Sequence, residues 1–98
     1  MSRIFAVTRT RGPSWDDSRS LEGQKDWPAH AAFMDALLAS GFVLLGGPLE
    51  LTSDVLLIVR AEGAEQIRAR FAEDCWTRSG HLELVRIAAW ELRLGALG

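Results

Sequence analysis

The order of apolar and turn-forming segments constrains the fold most strongly, because two strand-helix-strand units follow each other within 98 residues. Short apolar runs predict strands, and runs with apolar residues every three to four positions predict helices. The predicted strands are residues 3–9, 42–47, 54–61 and 81–94, and the predicted helices are residues 27–40 and 63–74. With right-handed crossovers, this βαββαβ order predicts a ferredoxin-like α+β fold with two helices on one face of a four-stranded antiparallel sheet.

Residues typical of helix ends flank the first predicted helix. Asp26 precedes Trp27 and Pro28 and is typical of an N-cap, and Gly41 is typical of a left-handed C-terminal cap. The polar segment 10–26 is rich in turn formers and longer than most connections in compact domains. We expect this loop to cover a pocket at one end of the sheet and to be more mobile than the helices.

The composition predicts one globular domain over residues 1–98. Hydrophobic residues make up 48% of the chain and charged residues 24%, which is typical of a modest core. The net charge of -2, without a basic stripe, argues against nucleic-acid binding. Cys75 is the only cysteine, so no intramolecular disulfide can form, and no zinc-site spacing is present. No apolar run has the length of a signal peptide or membrane span. With a single cysteine, we therefore expect a reduced, cytoplasmic protein. We also expect that it uses no metal or cofactor.

The predicted strands are apolar on both faces. The run 55–59 is apolar throughout, and the first strand places Ile4 and Ala6 on one face and Phe5 and Val7 on the other. Because two helices cover one face only, the other face would expose a large apolar surface. We therefore expect a homodimer packed sheet to sheet, with Phe5 and Val7 in its interface. A monomer with one loosely covered face is the alternative.

One histidine and one aspartate form a candidate acid/base pair. His30 falls within the apolar arc of the first helix, and Asp74 continues the inward stripe of Ile67 and Phe71 in the second. The start of the first helix and the end of the second meet at one end of the predicted sheet. The positive end of the first helix favours a neutral imidazole, whereas a carboxylate at the negative end of the second needs a donor or cation. Alternatively, each side chain only caps a helix or satisfies a backbone group.

Further side chains should collect at the same end of the sheet. Arg9 and Arg11 offer cations for an anionic substrate, unless they belong to a solvated loop. Trp15 and Trp76 could stack on a flat ring, although such tryptophans often only close the edge of a core. Neighbouring turns complete the predicted substrate-binding set: Gly47, Pro48 and Ser79.

Two other reactive side chains, His81 and Cys75, are not expected to take part in catalysis or metal binding. His81 begins a strand and is expected at the pocket rim or exposed, since no matching ligands have metal-site spacing. Cys75 is expected to be a buried, inert thiol rather than an activated one. Trp27 and Trp90 are assigned to packing.

Four stretches resemble the YCII-related domain family: residues 30–34, 41–49, 74–76 and 89–90. The resemblance implies a dimeric, ferredoxin-like α+β barrel whose active site pairs a histidine with an aspartate, positions held here by His30 and Asp74. Cys75 replaces the usual proline, and Trp27 stands where many members have arginine. Most members have no assigned reaction, and the few assigned ones include dehydrochlorination of a chlorinated hydroxyquinol.

Two functions fit these observations. The first is a small-molecule enzyme that uses His30 and Asp74 for acid/base chemistry, such as elimination or isomerisation of a hydroxylated aromatic or related carbonyl compound. The second is a non-catalytic dimeric module that binds a small ligand or serves as an accessory subunit. A hydrogen bond between His30 and Asp74 beside a cavity favours the enzyme, and side chains used only as backbone caps favour the module.

Overall fold

The four apolar runs of the sequence form one antiparallel sheet in the structure, a computed structural model that describes residues 1–95. The strands are β1 (Arg3–Arg11), β2 (Val43–Pro48), β3 (Asp54–Ala61) and β4 (Leu82–Ala89). The helices are α1 (Trp27–Ala39), α2 (Ala64–Phe71) and α3 (Cys75–Ser79). The sheet order is β2-β3-β1-β4. This order confirms the predicted ferredoxin-like α+β fold.

Several element ends differ from the prediction. β1 continues past residue 9, because Thr10 pairs with Asp54 and Arg11 pairs with Leu82. β4 ends at Ala89 rather than at residue 94, because its pairing with β1 ends there and β1 itself begins only two residues before the last pair. Trp90 still donates its backbone N–H to the carbonyl of Ile4, and the apolar residues after it prolong the sequence pattern without a place in the strand pairing. β2 lies one residue later than predicted, and α1 ends one residue earlier.

The second predicted helix, residues 63–74, is two helices in the structure. α2 ends at Phe71, and α3 begins directly after Asp74, which is its N-cap. The spacing of Ile67, Phe71 and Asp74 continues a helical pattern, but the Asp74 side chain accepts a hydrogen bond from the backbone N–H of Trp76. An aspartate that can start a helix in this way competes with continuation of the preceding one. The helices therefore number three rather than two in the part of the chain that the structure describes.

The ends of α1 follow the sequence signals in position. Gly41 has a φ of 82° and donates its N–H to the carbonyl of Leu38, as expected of a left-handed cap. Asp26 is the N-cap by position, but its own φ is 63° and its side chain makes no capping hydrogen bond. Its carbonyl instead accepts the backbone N–H of His30.

The hydrophobic core lies between the helices and the face of the sheet that carries Phe5 and Val7. Both side chains are buried, and Val7 pairs in register with Leu57 and Ile87. Core residues from the helices include Ile67. Phe5 and Val7 therefore face the helices, and their predicted place in a dimer interface is wrong. Because both faces of β1 are apolar, alternation alone did not show which face the helices cover.

The opposite face of the sheet is mixed, because Thr8, Arg60 and Arg86 lie on it together with apolar residues. Ala6 pairs there with Ile58, which in turn pairs with Leu45. Leu45 remains 52% exposed, and Val85 of β4 is 59% exposed. The apolar side chains of Leu45 and Val85 on this face are therefore in contact with solvent. None of the helices within residues 1–95 combines the length and apolarity needed to cross a membrane.

Candidate active site

Asp74 is fully buried between the end of α2 and the start of α3. Its Oδ1 accepts the backbone N–H of Trp76 at 3.0 Å. The carboxylate therefore lies at the amino-terminal end of α3, where backbone N–H groups favour negative charge. The sequence had placed it at the negative end of the preceding helix, and the break after Phe71 reverses that electrostatic expectation.

His30 contacts this carboxylate directly. Its Nδ1 lies 2.9 Å from Oδ2 and 3.0 Å from Oδ1 of Asp74. Because an ionised carboxylate only accepts hydrogen bonds, Nδ1 carries a proton, and whenever the ring is neutral Nε2 is the free base. Nε2 makes no hydrogen bond with residues 1–95 and is not fully buried. The imidazole thus has one nitrogen held by Asp74 and one available to a ligand.

Arg9 supports the carboxylate from the sheet. It is only 1% exposed, and its Nη1 donates to Asp74 Oδ2 at 3.0 Å. Its Nη2 donates to Thr77 Oγ1 at 2.7 Å, and this hydroxyl donates to the carbonyl of Phe71. Both terminal nitrogens are therefore engaged, so Arg9 holds Asp74 in place rather than offering a free cation to a substrate.

The charges of this cluster depend on one another. Burial alone would raise the pKa of Asp74, but the hydrogen bonds from His30 and Trp76 N–H and the charges of His30 and Arg9 hold that pKa below its ordinary value. Burial lowers the pKa of Arg9, and Asp74 opposes this effect. The carboxylate is therefore ionised at neutral pH.

A cavity of about 260 Å³ lies beside His30, between the sheet, α1, α3 and the loop before α1. Most of the predicted substrate-binding residues line it: Arg9, Arg11, Trp15, Gly47, Pro48 and Trp76. Residues that the prediction left out also line it: Leu21, Trp27, Met34, Gly46, Thr52, Ser53, Asp54, Val55, Leu57 and Leu82. The loop covers the cavity as expected, and its mobility stays a prediction.

Tryptophans form one wall of the cavity. The Trp76 indole stacks on the His30 ring with centroids 3.9 Å apart and planes 8° apart. Trp15 meets Trp76 edge-on at 5.6 Å, and Trp27 lies 5.9 Å from both rings of the stack. The Trp76 Nε1 donates to the carbonyl of Lys25 at 2.7 Å, which fixes the indole. Asp74 thus holds the edge of the imidazole, and Trp76 holds its face. Trp27, which was assigned to packing, also lines the cavity.

Gly46, next to the predicted Gly47 and Pro48, also lines the cavity. It pairs with Leu57 on the helix-facing side of the sheet. A Cβ atom at this position would lie 2.3 Å from Leu57 Cδ2, so a larger residue would displace that side chain. The sequence emphasised Gly47 and Pro48, because the register that turns Gly46 toward the helices was not known.

Ser79 and His81 lie on the other side of Trp76. His81 is buried, stacks on the indole at 5.5 Å, and has Nδ1 2.6 Å from Ser79 Oγ. Both residues border a second, open cavity. The predicted place of Ser79 in the substrate pocket is therefore wrong, because the indole of Trp76 separates it from the His30 side.

Gln24 anchors the loop before α1, and the sequence analysis missed it. Its side chain is buried, accepts the backbone N–H of Asp16 and donates to the carbonyl of Asp16. A glutamine carries no spacing signal, so only the fold reveals this role. Trp15 and Leu21, which line the cavity, flank the segment that Gln24 organises.

Neither a metal cluster nor an activated thiol is present among residues 1–95. No group of three or more histidine, cysteine, aspartate or glutamate side chains there could hold a metal ion. Burial raises the pKa of Cys75, and the neighbouring charges of Asp74 and Asp26 raise it further. The Cys75 thiol is therefore protonated at neutral pH, but it is half-buried rather than buried as expected, and its inertness stays a prediction.

A solved structure has a similar fold over nearly the whole chain. It is 5-chloro-2-hydroxyhydroquinone dehydrochlorinase from Burkholderia phenoliruptrix AC1100 in complex with 2,5-dihydroxybenzoquinone. The TM-score is 0.63 at 20% sequence identity, covering 94% of this chain and 95% of that chain. No family model and no curated protein matches the chain. At this identity, the likeness establishes the fold.

Proposed function

We propose that this chain is a small-molecule enzyme in which His30 and Asp74 carry out acid/base chemistry. The observation that carries the proposal is the pairing of His30 Nδ1 with a buried carboxylate while Nε2 stays available beside a cavity. A side chain that only capped a helix would have its polar atoms on backbone groups instead. An imidazole oriented by a carboxylate is a common general base.

The proposed mechanism is a proton transfer at His30 Nε2. Nε2 removes a proton from a carbon or hydroxyl of the bound compound, and Asp74 stabilises the imidazolium that forms. In an isomerisation, the same nitrogen returns the proton to another atom of the ring. In an elimination, the electron pair of the bond to the removed proton forms a double bond, and the bond to the leaving group breaks so that this group departs as an anion. Arg9 and the N–H of Trp76 keep Asp74 ionised throughout.

A hydroxylated aromatic or related carbonyl compound is the proposed substrate class. The tryptophan wall offers flat apolar surfaces for a ring. The structural neighbour acts on a chlorinated hydroxyhydroquinone, and residues 30–34 and 74–76 resemble the YCII-related family. Both observations support membership of that family and a lyase or isomerase activity. A cytoplasmic location is part of the proposal and rests on the single cysteine.

A non-catalytic ligand-binding module is the second candidate. The observation that favours it is that Arg9 and the Trp76 N–H also bind the Asp74 carboxylate. Such a network stabilises the fold whether or not the imidazole turns over a substrate. The two candidates predict the same cavity but different consequences of replacing His30.

A homodimer is part of the proposal. The face of the sheet opposite the helices exposes the apolar side chains of Leu45 and Val85, and a second copy of the chain would cover them. Val85 and Leu45 are the exposed residues through which the partner copy would pack. Phe5 and Val7 take no part, since they belong to the core.

The test combines binding and turnover. Hydroxylated single-ring compounds are screened by thermal shift against the wild type and His30→Ala, and every compound that binds is followed for product by liquid chromatography. We expect a compound that stabilises both proteins and is converted only by the wild type. Equal conversion by His30→Ala would remove the acid/base role. Binding to both proteins without conversion of any compound would favour the module.

A further inference from the structure

The mouth of the cavity carries a cation that the His30 and Asp74 pair does not use. Arg11 lies two residues after Arg9 on the same face of β1 and borders the cavity. Unlike Arg9, it is exposed and lies near no carboxylate at salt-bridge distance within residues 1–95. We infer that Arg11 binds the carboxylate of a single-ring aromatic acid. This inference rests on the proposed function and narrows its substrate class.

The cavity volume limits the ligand to one ring. An engineered protein cavity that binds benzene measures roughly 150 Å³, and drug-sized ligands occupy sites of about 300–1,000 Å³. At about 260 Å³, the cavity beside His30 suits one six-membered ring with small substituents. The displacement of Leu57 that any side chain at position 46 would cause shows how closely one wall is packed.

The charges around the cavity favour an anion. The guanidinium of Arg9 is neutralised by Asp74. Asp54 also borders the cavity, but it pairs with Thr10, whose side chain lies on the opposite face of β1 from Arg11. The charge on the cavity side of the sheet that lacks an opposite partner among residues 1–95 is therefore that of Arg11.

The Arg11 guanidinium lies over the ring of Trp15 beside the cavity. The central carbon of the guanidinium lies 4.7 Å from the centroid of the Trp15 ring. The planar fork of a guanidinium matches a carboxylate with two parallel hydrogen bonds. Trp15 in turn packs on Trp76, which stacks on His30. These contacts connect the proposed anion site to the proposed base.

The test compares two ligands that differ in charge. Binding of 4-hydroxybenzoate and of its neutral amide, 4-hydroxybenzamide, is measured by isothermal titration calorimetry with wild type, Arg11→Gln and Arg11→Lys. We expect the acid to bind the wild type about tenfold more tightly than the amide, since hydrogen bonds to charged groups have this magnitude. Arg11→Gln should abolish the preference and leave amide binding unchanged. Arg11→Lys should keep part of it, because lysine retains the charge without the planar fork.

Matched controls separate this inference from the proposed function. Arg68→Gln, on α2 and outside the cavity, removes the same charge and should leave the preference intact. His30→Ala should also keep the preference, even if it destroys turnover. Loss of the preference in His30→Ala would mean that the imidazolium binds the anion, which would overturn the role of Arg11. Equal binding of acid and amide, an undiminished preference in Arg11→Gln, or no binding of either compound would also overturn it.

Discussion

Replacing Arg9 by methionine tests how the buried carboxylate is stabilised. The methionine keeps an apolar side chain of similar length against Phe71, but Asp74 Oδ2 loses a 3.0 Å hydrogen bond and Thr77 Oγ1 loses a 2.7 Å donor. Leaving one partner of a buried ion pair alone costs about 3–5 kcal/mol. Because His30 and the Trp76 N–H still contact the carboxylate, we expect the lower end, about 3 kcal/mol.

The loss should be large enough to measure by ordinary unfolding experiments. For a domain of this size, about 3 kcal/mol corresponds to a decrease in Tm of roughly 12–24 °C. Urea unfolding at neutral pH, followed by tryptophan fluorescence and far-UV circular dichroism, gives the free energy directly. Arg68→Met on the exposed side of α2 is the matched control and should change stability by less than about 0.5 kcal/mol. A loss below about 1 kcal/mol in Arg9→Met would refute the reasoning.

A double-mutant cycle shows whether the uncompensated carboxylate causes the loss. Asp74→Asn removes the charge that Arg9 neutralises. The Arg9→Met and Asp74→Asn double variant should therefore be more stable than the sum of the two single effects predicts, by at least about 1 kcal/mol. Additive effects would mean that the loss arises from the contacts of Arg9 with Thr77 and Phe71 rather than from Asp74.

Acid should reduce the difference between wild type and Arg9→Met. The pKa of Asp74 in the folded protein lies below its ordinary value of 3.8, so the stability it contributes is fully present above that value. That contribution is lost as the pH falls through the lowered pKa. Because Arg9 is one cause of the lowering, the free-energy difference should shrink when urea unfolding is repeated below pH 3.8. A difference that stays constant or grows in acid would contradict the assignment.

Three further predictions address the pair, the dimer and the loop. His30→Ala and Asp74→Ala should each remove most of the turnover of a substrate found in the compound screen, and the double variant should lose little more; additive losses in kcat/KM would mean separate roles. Leu45→Glu should convert a dimer into a monomer by light scattering at micromolar concentration, and a monomeric wild type would remove the interface. Hydrogen exchange in residues 12–26 should be faster than in α1 and slower when a ligand binds; uniform protection without ligand would indicate a purely structural loop.

The sequence predicted the fold well because its signals were local. Apolar periodicity separated strands from helices, and Gly41 marked the end of α1. The sequence did not show which face of the sheet the helices cover, because Phe5 and Val7 belong to a strand that is apolar on both sides. Which side the helices cover depends on contacts with residues such as Ile67, distant in sequence, and local alternation contains no such information.

The contact between His30 and Asp74 could be predicted, because the direction of the chain in the two helices determines it. His30 and Asp74 meet because α1 starts and α2 ends at the same end of the sheet. Alternation in β1 places Arg9 on one face with Phe5 and Val7, but it does not show that the helices cover this face, so the burial of Arg9 is known only from the structure. Once Arg9 is known to be buried, a buried acid must neutralise it, and Asp74 is that acid. Ser79 could not be separated from the pocket in this way, because the separating indole belongs to a helix that the pattern did not reveal.

The break between α2 and α3 explains why the pair is stable. In one continuous helix to residue 74, the Asp74 carboxylate would lie at the negative end of the dipole, with unsatisfied carbonyls nearby. The break places it at the start of α3, where it accepts the Trp76 N–H, and brings Thr77 between Arg9 and the last carbonyl of α2 at Phe71. The same break turns the Trp76 indole onto the face of the His30 ring. The carboxylate, its cation and the stacked imidazole therefore depend on one local departure from helical periodicity.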